Sequence, residues 1–296
     1  DGPGMVCFTG LRIGTYHAEE SDWPEGWYPS GQTTKEVRLE SSGGRNCTFF
    51  LNIMFGKICV YKYEDLNGNG VLDDGEPPVA NVTITLTQGD AIVGCGVTDE
   101  NGTICFNGLV LGEYTVIETV PEGWYATTPA SVGVEIDSSG ERGTVTFLNT
   151  RYGTICAYKY EDLNGDGVLD DGEPAVPGVF VELLLDDEVM ANGTTDENGT
   201  ICFTGLVLGD YLVRETVPEG WYATSSTEVR VTVDRSGECE QATFLNTRYG
   251  TICVYKYEDL NGDGEWQENE PAVANVTITL TQGDAMIGCG VTDENG

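Results

Sequence analysis

The chain has 296 residues, with 49 acidic against 14 basic side chains and a formal net charge of -35. Phosphate binding needs clustered Lys and Arg, so this balance excludes nucleic acid and an anionic membrane surface as partners and favours cations. Hydrophobic residues make up 40% of the chain, enough for packed cores, and no apolar run is long enough to span a bilayer.

No signal peptide is visible, and a start at Asp1 is what a mature or truncated product would show. Ten cysteines, none closer than ten residues to the next, point to disulfides and an oxidising compartment. A zinc site would show CxxC pairs or His partners, and His17 is the sole histidine.

Self-similarity organises the rest. In chain order, CFTGLRIGTY from Cys7 and WPEGWYPS from Trp23 open the sequence. GKICVYKYEDLNGNG begins at Gly56, and its counterparts begin at Gly153 and Gly250, two intervals of 97 residues. CFNGLVLGEY from Cys105 and VPEGWYAT from Val120 return at Cys202 and Val217. The period divides the chain into residues 1–55, the second half of a unit; 56–152 and 153–249, two complete units; and 250–296, the first half of another.

Each unit reads as strands. The stretches beginning at Asn81, Tyr114 and Thr144 alternate polar with apolar or β-branched residues, as half-buried strands do. Asp-Glu-Asn-Gly at 99–102 and 196–199 reads as a hairpin turn, and Asp1-Gly2-Pro3-Gly4 aligns with it. Roughly seven short strands in about 97 residues indicate an all-β fold of tandem transthyretin-like or immunoglobulin-like β-sandwich repeats. No Gly/Ser-rich or Pro-rich linker intervenes between units, so consecutive sandwiches are expected to stack stiffly.

The strongest chemical motif follows the first strand of each unit. Asp65, Asn67, Asn69, Val71, Asp73 and Glu76 fall at positions 1, 3, 5, 7, 9 and 12 of the pattern D-x-[DN]-x-[DN]-G-x5-E. Calcium takes six to eight hard oxygens, and this spacing wraps them round one ion, with Val71 offering its carbonyl and Gly70 the sharp turn. The second copy is Asp162, Asn164, Asp166, Val168, Asp170 and Glu173. The third is Asp259, Asn261, Asp263, Glu265, Gln267 and Glu270. Strands rather than helices flank the loops, which favours a structural Ca2+ over a sensor, because sensor opening moves a helix pair.

The run from KYEDLNGNGVLDDGEP through TDENGTICFNGLVLGEYTVIETVPEGWY to FLN resembles the calcium-binding B repeats of Sdr-type bacterial adhesins. It is also similar to the wider collagen-adhesin B-type (Cna B) domains of bacterial and archaeal surface proteins. The resemblance implies a transthyretin-like sandwich, a surface location and a stalk or spacer role; the cysteines depart from it. It further implies an intramolecular Lys–Asn isopeptide bond assisted by a buried acid, at Lys62, Glu118 and Asn149, and at Lys159, Glu215 and Asn246. Strand parity is compatible, since Ile58, Val60 and Lys62 share one face, as do Val145, Phe147 and Asn149.

Cys59, Cys156 and Cys253 share one position of the repeat, and Cys7, Cys105 and Cys202 another. Cys95 could bridge Cys105 across the Asp-Glu-Asn-Gly turn, and Cys156 could reach Cys239. A rival scheme pairs the two recurring positions, as Cys59 with Cys105. Sequons at Asn46, Asn81, Asn101, Asn192, Asn198 and Asn275 are candidate N-glycan sites of a secreted protein.

Residues 250–296 and 1–55 are complementary halves. They are completed either by further repeats of a longer chain or by neighbouring copies adding strands head to tail, which would build a filament. The function expected is an extracellular filament, sheath or stalk. The alternative is the repeat region of an adhesin that binds glycan or protein ligands, with Trp124, Tyr125, Trp221 and Tyr222 as contact aromatics. No nucleophile–base constellation repeats, so enzymatic turnover is not expected.

Overall fold

The computed structural model describes residues 4–296, so Asp1, Gly2 and Pro3 of the aligned N-terminal turn lie outside the described residues. Every regular element among the described residues is a strand. Residues before Gly56 form β1 (Gly14–Glu19), β2 (Trp27–Pro29), β3 (Thr34–Leu39) and β4 (Asn52–Met54). The first full repeat holds β5 (Gly56–Glu64), β6 (Thr83–Gln88), β7 (Ala91–Val97), β8 (Thr103–Leu109), β9 (Gly112–Glu118), β10 (Trp124–Ala126), β11 (Ser131–Ile136) and β12 (Arg142–Arg151). The second holds their counterparts β13 (Gly153–Glu161), β14 (Phe180–Leu185), β15 (Glu188–Thr194), β16 (Thr200–Leu206), β17 (Gly209–Glu215), β18 (Trp221–Ala223), β19 (Glu228–Val233) and β20 (Cys239–Arg248). The chain ends with β21 (Thr277–Gln282) and β22 (Ala285–Val291).

Each full repeat is a sandwich of two four-stranded sheets. In the first, the orders are β10-β12-β5-β8 and β11-β9-β6-β7; the second repeats them as β18-β20-β13-β16 and β19-β17-β14-β15. The sequentially first and last strands of a repeat lie side by side in parallel, Lys57 opposite Arg142 through Glu64 opposite Asn149. The other ladders are antiparallel. Alternation does the sorting: Ile58, Val60, Ile84, Leu86, Val116 and Phe147 turn inward and pack into one core, and the second repeat does the same around Phe244. At the sandwich edge, a Cβ on Gly94 would sit 2.6 Å from the Phe106 ring, so the absence of a side chain there lets β7 close against β8.

Two sequence expectations change. Residues 99–102 do form a tight turn, with the Gly102 amide donating to the Asp99 carbonyl at 2.9 Å. That turn is no β-hairpin, however: β7 pairs with β6 and β8 pairs with β5, so it carries the chain from one sheet to the other. The hairpin lies one strand earlier, at Gly89-Asp90 and Asp186-Asp187, where both aspartates have positive φ as a two-residue turn demands. Because β7 and β8 belong to different sheets, Cys95 does not bridge Cys105. Cys156 does not bridge Cys239 either, since the register sets Cys239 beside Thr154. Cys59 faces Cys105, and Cys156 faces Cys202, across β5/β8 and β13/β16; both pairs are disulfides.

The flanking segments hold matching half-sets. β1–β3 and β2–β4 pair as β9–β11 and β10–β12 do, and β21–β22 pair as β6–β7 do. Leu280 of β21 is 38% exposed where Leu86 of β6 is fully buried.

Each disulfide closes 46 residues of chain, which in the chain-entropy account removes about 4 kcal/mol of freedom from the unfolded state. Replacing Cys59 and Cys105 together by Ala should therefore lower the stability of the first repeat by a few kcal/mol in denaturant titration. The second repeat should be left unchanged.

Candidate functional site

Two chemically distinct sites grow from one stretch of strand. β5 ends at Glu64 and the acidic loop starts at Asp65, while Lys62 lies three residues earlier on the same strand.

The loop is tied down at its first residue. Asp65 is fully buried; its amide donates to the Asn149 carbonyl at 2.8 Å, and its own carbonyl accepts from Thr150 Oγ1 at 2.7 Å. Its carboxylate accepts the amides of Gly68 (2.6 Å), Asn69 (3.2 Å) and Gly70 (2.8 Å), which curl the loop round it. Glu76 closes the other end, accepting the amides of Leu66 at 3.0 Å and Asp73 at 3.2 Å. Glu173 and Glu270 do the same in the other two loops.

Positions 3, 5 and 9 converge in all three loops. Asn67 and Asn69 both point their amides at Asp73 Oδ2, at 2.9 and 2.8 Å. Asn164 reaches Asp166 and Asp170, each at 3.0 Å. Asn261 and Gln267 both reach Asp263 at 2.8 Å. Donation from Asn67 and Asn69 holds the Asp73 carboxyl below its ordinary range. An amide that donates to a carboxylate presents its oxygen to a cation after a half-turn about its last bond, so the same three side chains fit a hard cation. Among the described residues no three His, Cys, Asp or Glu side chains form a cage by themselves. Asn and backbone carbonyl oxygens are therefore needed to complete any calcium shell. Val71, Val168 and Glu265 stand at the position where the chain would offer its carbonyl.

The second site is inside the sandwich. Lys62 and Asn149 are fully buried and Glu118 is 5% exposed. The Lys62 backbone is gripped on both sides, its amide donating to Gly102 and its carbonyl accepting from Val79. A Cβ on Gly102 would lie 2.3 Å from that carbonyl, so only glycine permits the approach. Lys62 Nζ sits 3.5 Å from Glu118 Oε1 and donates to the carbonyls of Tyr63 and Phe147. Asn149 Nδ2 donates to the same Glu118 oxygen at 2.8 Å. The second repeat repeats the trio: Lys159 is 3.5 Å from Glu215, which also accepts Asn246 Nδ2 at 3.3 Å. Burial drags each lysine from its ordinary 10.5 to about 8, against the pull of the adjacent glutamate. Burial likewise raises both glutamates, opposed by the lysines and the asparagine amides.

The other expected positions are dispersed on the surface. All six sequon asparagines are exposed, as is His17. The six cysteines outside the two disulfides are exposed thiols. Of the candidate contact aromatics, Trp124 and Trp221 are covered by stacked guanidinium groups, Arg151 at 4.8 Å and Arg248 at 4.7 Å. Tyr125 and Tyr222 pack on Tyr152 and Tyr249. Sequence reasoning missed Glu64, Arg151 and Ser236, which meet between the two full repeats; each recurs with the period, but they lie apart in the chain and nothing in their spacing brings them together.

Tandem sandwiches, repeated acidic loops and buried Lys–Glu–Asn trios define a class of extracellular repeat domains built for stability. The chain belongs to the SdrD B-like domain family, which matches residues 56–152 and 153–247. It is 30% identical over its whole length to serine-aspartate repeat-containing protein F of Staphylococcus epidermidis, of which it spans 21%. It is 32% identical, over 90% of its length, to the bone sialoprotein-binding protein of Staphylococcus aureus, of which it spans 26%. The chain thus covers about a fifth to a quarter of these relatives. Among solved structures, the Bacillus anthracis TIE protein covers 80% of this chain and 42% of its own, with TM-score 0.38 and 22% identity. The relatives are cell-surface proteins, and the chain's location is extracellular, at the cell surface.

Removing one member of a buried ion pair strands the other. Glu118→Ala should therefore destabilise the first repeat by about 3–5 kcal/mol. Adding Lys62→Met should restore most of the loss, as read from the thermal midpoints of the two variants.

Proposed function

We propose that this chain is a structural spacer, a length of extracellular filament, sheath or stalk whose sandwich repeats are stiffened by calcium. The observation that carries this reading is the recurrence of one loop geometry three times, with positions 3, 5 and 9 converging each time and the aspartate at position 1 accepting the amides of both loop glycines. The residues that would hold the ion are those at positions 1, 3, 5, 7, 9 and 12 of each loop. A bound Ca2+ supplies positive charge to carboxylates that otherwise repel one another in a chain of net charge -35. The reading includes no enzymatic turnover.

The buried trios support a second strengthening device, a covalent one. Lys62 Nζ, as the free amine that burial favours, attacks Cγ of Asn149; the new N–C bond replaces the bond to Nδ2, and ammonia leaves. Glu118, in contact with both side chains, takes the proton from the amine and delivers it to the departing nitrogen. Lys159, Glu215 and Asn246 act in the same way. The product ties the first strand of a repeat to the last and removes the buried charge altogether.

The flanking segments extend the reading. The strands of 250–296 and of 5–55 would together complete a further sandwich, supplied by another copy joined head to tail or by further repeats in line. The exposed sequon asparagines are N-glycan acceptors in the same picture. The similarity to a bone sialoprotein-binding protein favours one second reading, the repeat region of an adhesin for protein or glycan ligands. Retention of bone sialoprotein or of glycans on an array would move the conclusion there.

Two measurements test the main reading. Excess chelator should lower the thermal midpoint, and Ca2+ should restore it; a melting curve indifferent to both would remove the metal from the account. The intact mass should fall short of the sequence mass by one ammonia for each trio that has reacted, and Asn149→Ala should abolish one of those losses.

A further inference from the structure

The two full repeats meet through a set of polar contacts between a turn of the second and the strand ends of the first. Ser236 lies in the turn between β19 and β20 of the second repeat. Its hydroxyl donates to Glu64 Oε1 of the first repeat at 2.6 Å and accepts the Arg151 amide at 2.9 Å. Its amide donates to the carbonyl of Leu66, the second residue of the acidic loop, at 2.9 Å, and the next amide, Gly237, reaches the Arg151 carbonyl at 3.3 Å. Arg151 in turn pairs with the other Glu64 oxygen at 3.1 Å and lies over Trp124. A second strut stands beside this one: the Leu208 amide donates to Tyr125 Oη at 3.2 Å, and Leu208 packs against Gly68 of the acidic loop.

Both halves of the joint are shaped before they meet. The inserting turn is held by Glu238, whose carboxylate accepts the amides of Asp234 and Arg235, both at 3.1 Å. The receiving end is built again on the second repeat, where Arg248 pairs with Glu161 at 3.1 Å and stacks on Trp221. No Ser-Gly turn covers that copy among the described residues, and the difference is measurable. The Glu161 and Arg248 side chains are 16% and 65% exposed, against 8% and 54% for Glu64 and Arg151. The Ser-Gly and tyrosine parts of the joint also recur upstream, with Met54 in the place of Arg151: the Met54 amide donates to Ser139 Oγ at 2.9 Å, the Gly140 amide to the Met54 carbonyl at 3.1 Å, and the Leu111 amide to Tyr28 Oη at 3.0 Å.

From the recurrence of the turn and the strand end we propose that the end of each full repeat, built on a Glu–Arg–Trp set, is a docking surface for the Ser-Gly turn of the next repeat. On this proposal the serine hydroxyl, donating and accepting across the boundary, latches the angle between consecutive sandwiches. The same surface around Glu161, Arg248 and Trp221 fits one occupant, the corresponding turn of a further repeat of this type. The proposal rests on the spacer reading of the chain and makes its stiffness a property of the joints as well as of the loops.

The test uses the full chain, with and without Ca2+, as wild type, Ser236→Ala, Ser236→Thr and Arg151→Met. Amide hydrogen exchange is read at 148–153 and 234–239, and flexibility is read by small-angle X-ray scattering. Ser236→Ala should speed exchange in both segments about tenfold, the scale of one net hydrogen bond. It should broaden the scattering envelope and leave the melting of the individual repeats unchanged. Ser236→Thr, which keeps the hydroxyl, should restore most of the protection, and Arg151→Met should loosen the joint without opening either core. Unaltered exchange and scattering in both Ser236→Ala and Arg151→Met would overturn the latch, even if Ca2+ still stabilises every repeat. Conversely, loosening by Ser236→Ala in a chain indifferent to chelator would leave the latch standing and remove only the calcium reading.

Discussion

The parallel ladder between the first and last strand of each repeat is the constraint on which the remaining features depend. Pairing residues 57–64 with 142–149 in register closes a loop of the whole repeat. It brings a lysine and an asparagine separated by most of the domain into one buried pocket. It also anchors the acidic loop, because Asp65 follows directly and bonds to Asn149 and Thr150 of the partner strand. The last residue of that strand, Arg151, then finds Glu64, the last residue of the first. One ladder thus positions the core trio, the loop and the end of the repeat that receives its neighbour.

Electrostatics explains why the charged groups separate as they do. A buried lysine tolerates its surroundings only with a carboxylate beside it, and Glu118 and Glu215 supply that carboxylate from the opposite sheet. The pair still strains against burial, which lowers the lysines and raises the glutamates. Both shifts favour the uncharged forms of the pair, and the lysines come down to about 8. The loop carboxylates solve the opposite problem. They gather backbone and side-chain amides, Asp65 buried at the root of the loop and Asp73 exposed at its surface.

Disulfides, core and joints act at different scales. The cross-strand bridges of β5/β8 and β13/β16 pin one sheet edge within each repeat. The apolar cores hold the two sheets together. Neither constrains one repeat against the next; that falls to the polar contacts between the Ser-Gly turn and the strand ends. Where the two full repeats meet, the contacts are short, directional bonds, and each repeat keeps its own apolar core.

Much of this was legible in the chain. The 97-residue period, the β character, the acidic loops and the membership of the trios all follow from spacing, alternation and resemblance, because these are local or repeated properties. The resemblance put Lys62 in a buried trio, strand parity was compatible with it, and the structure buries it. The cysteines were not resolved by sequence, since pairing depends on which strands become neighbours: Cys59 and Cys105 pair because β5 and β8 are adjacent. The Asp-Glu-Asn-Gly turn misled for the same reason, as a turn's residues specify its tightness and not whether the strands it joins enter one sheet or two. Glu64, Arg151 and Ser236 recur with the period, but recurrence does not say that they meet. The sequence by itself determined the repeating unit and its chemistry; only the tertiary structure decided which distant residues meet, because hydrogen bonds between strands and between repeats depend on register, and register is set by packing of the whole sandwich.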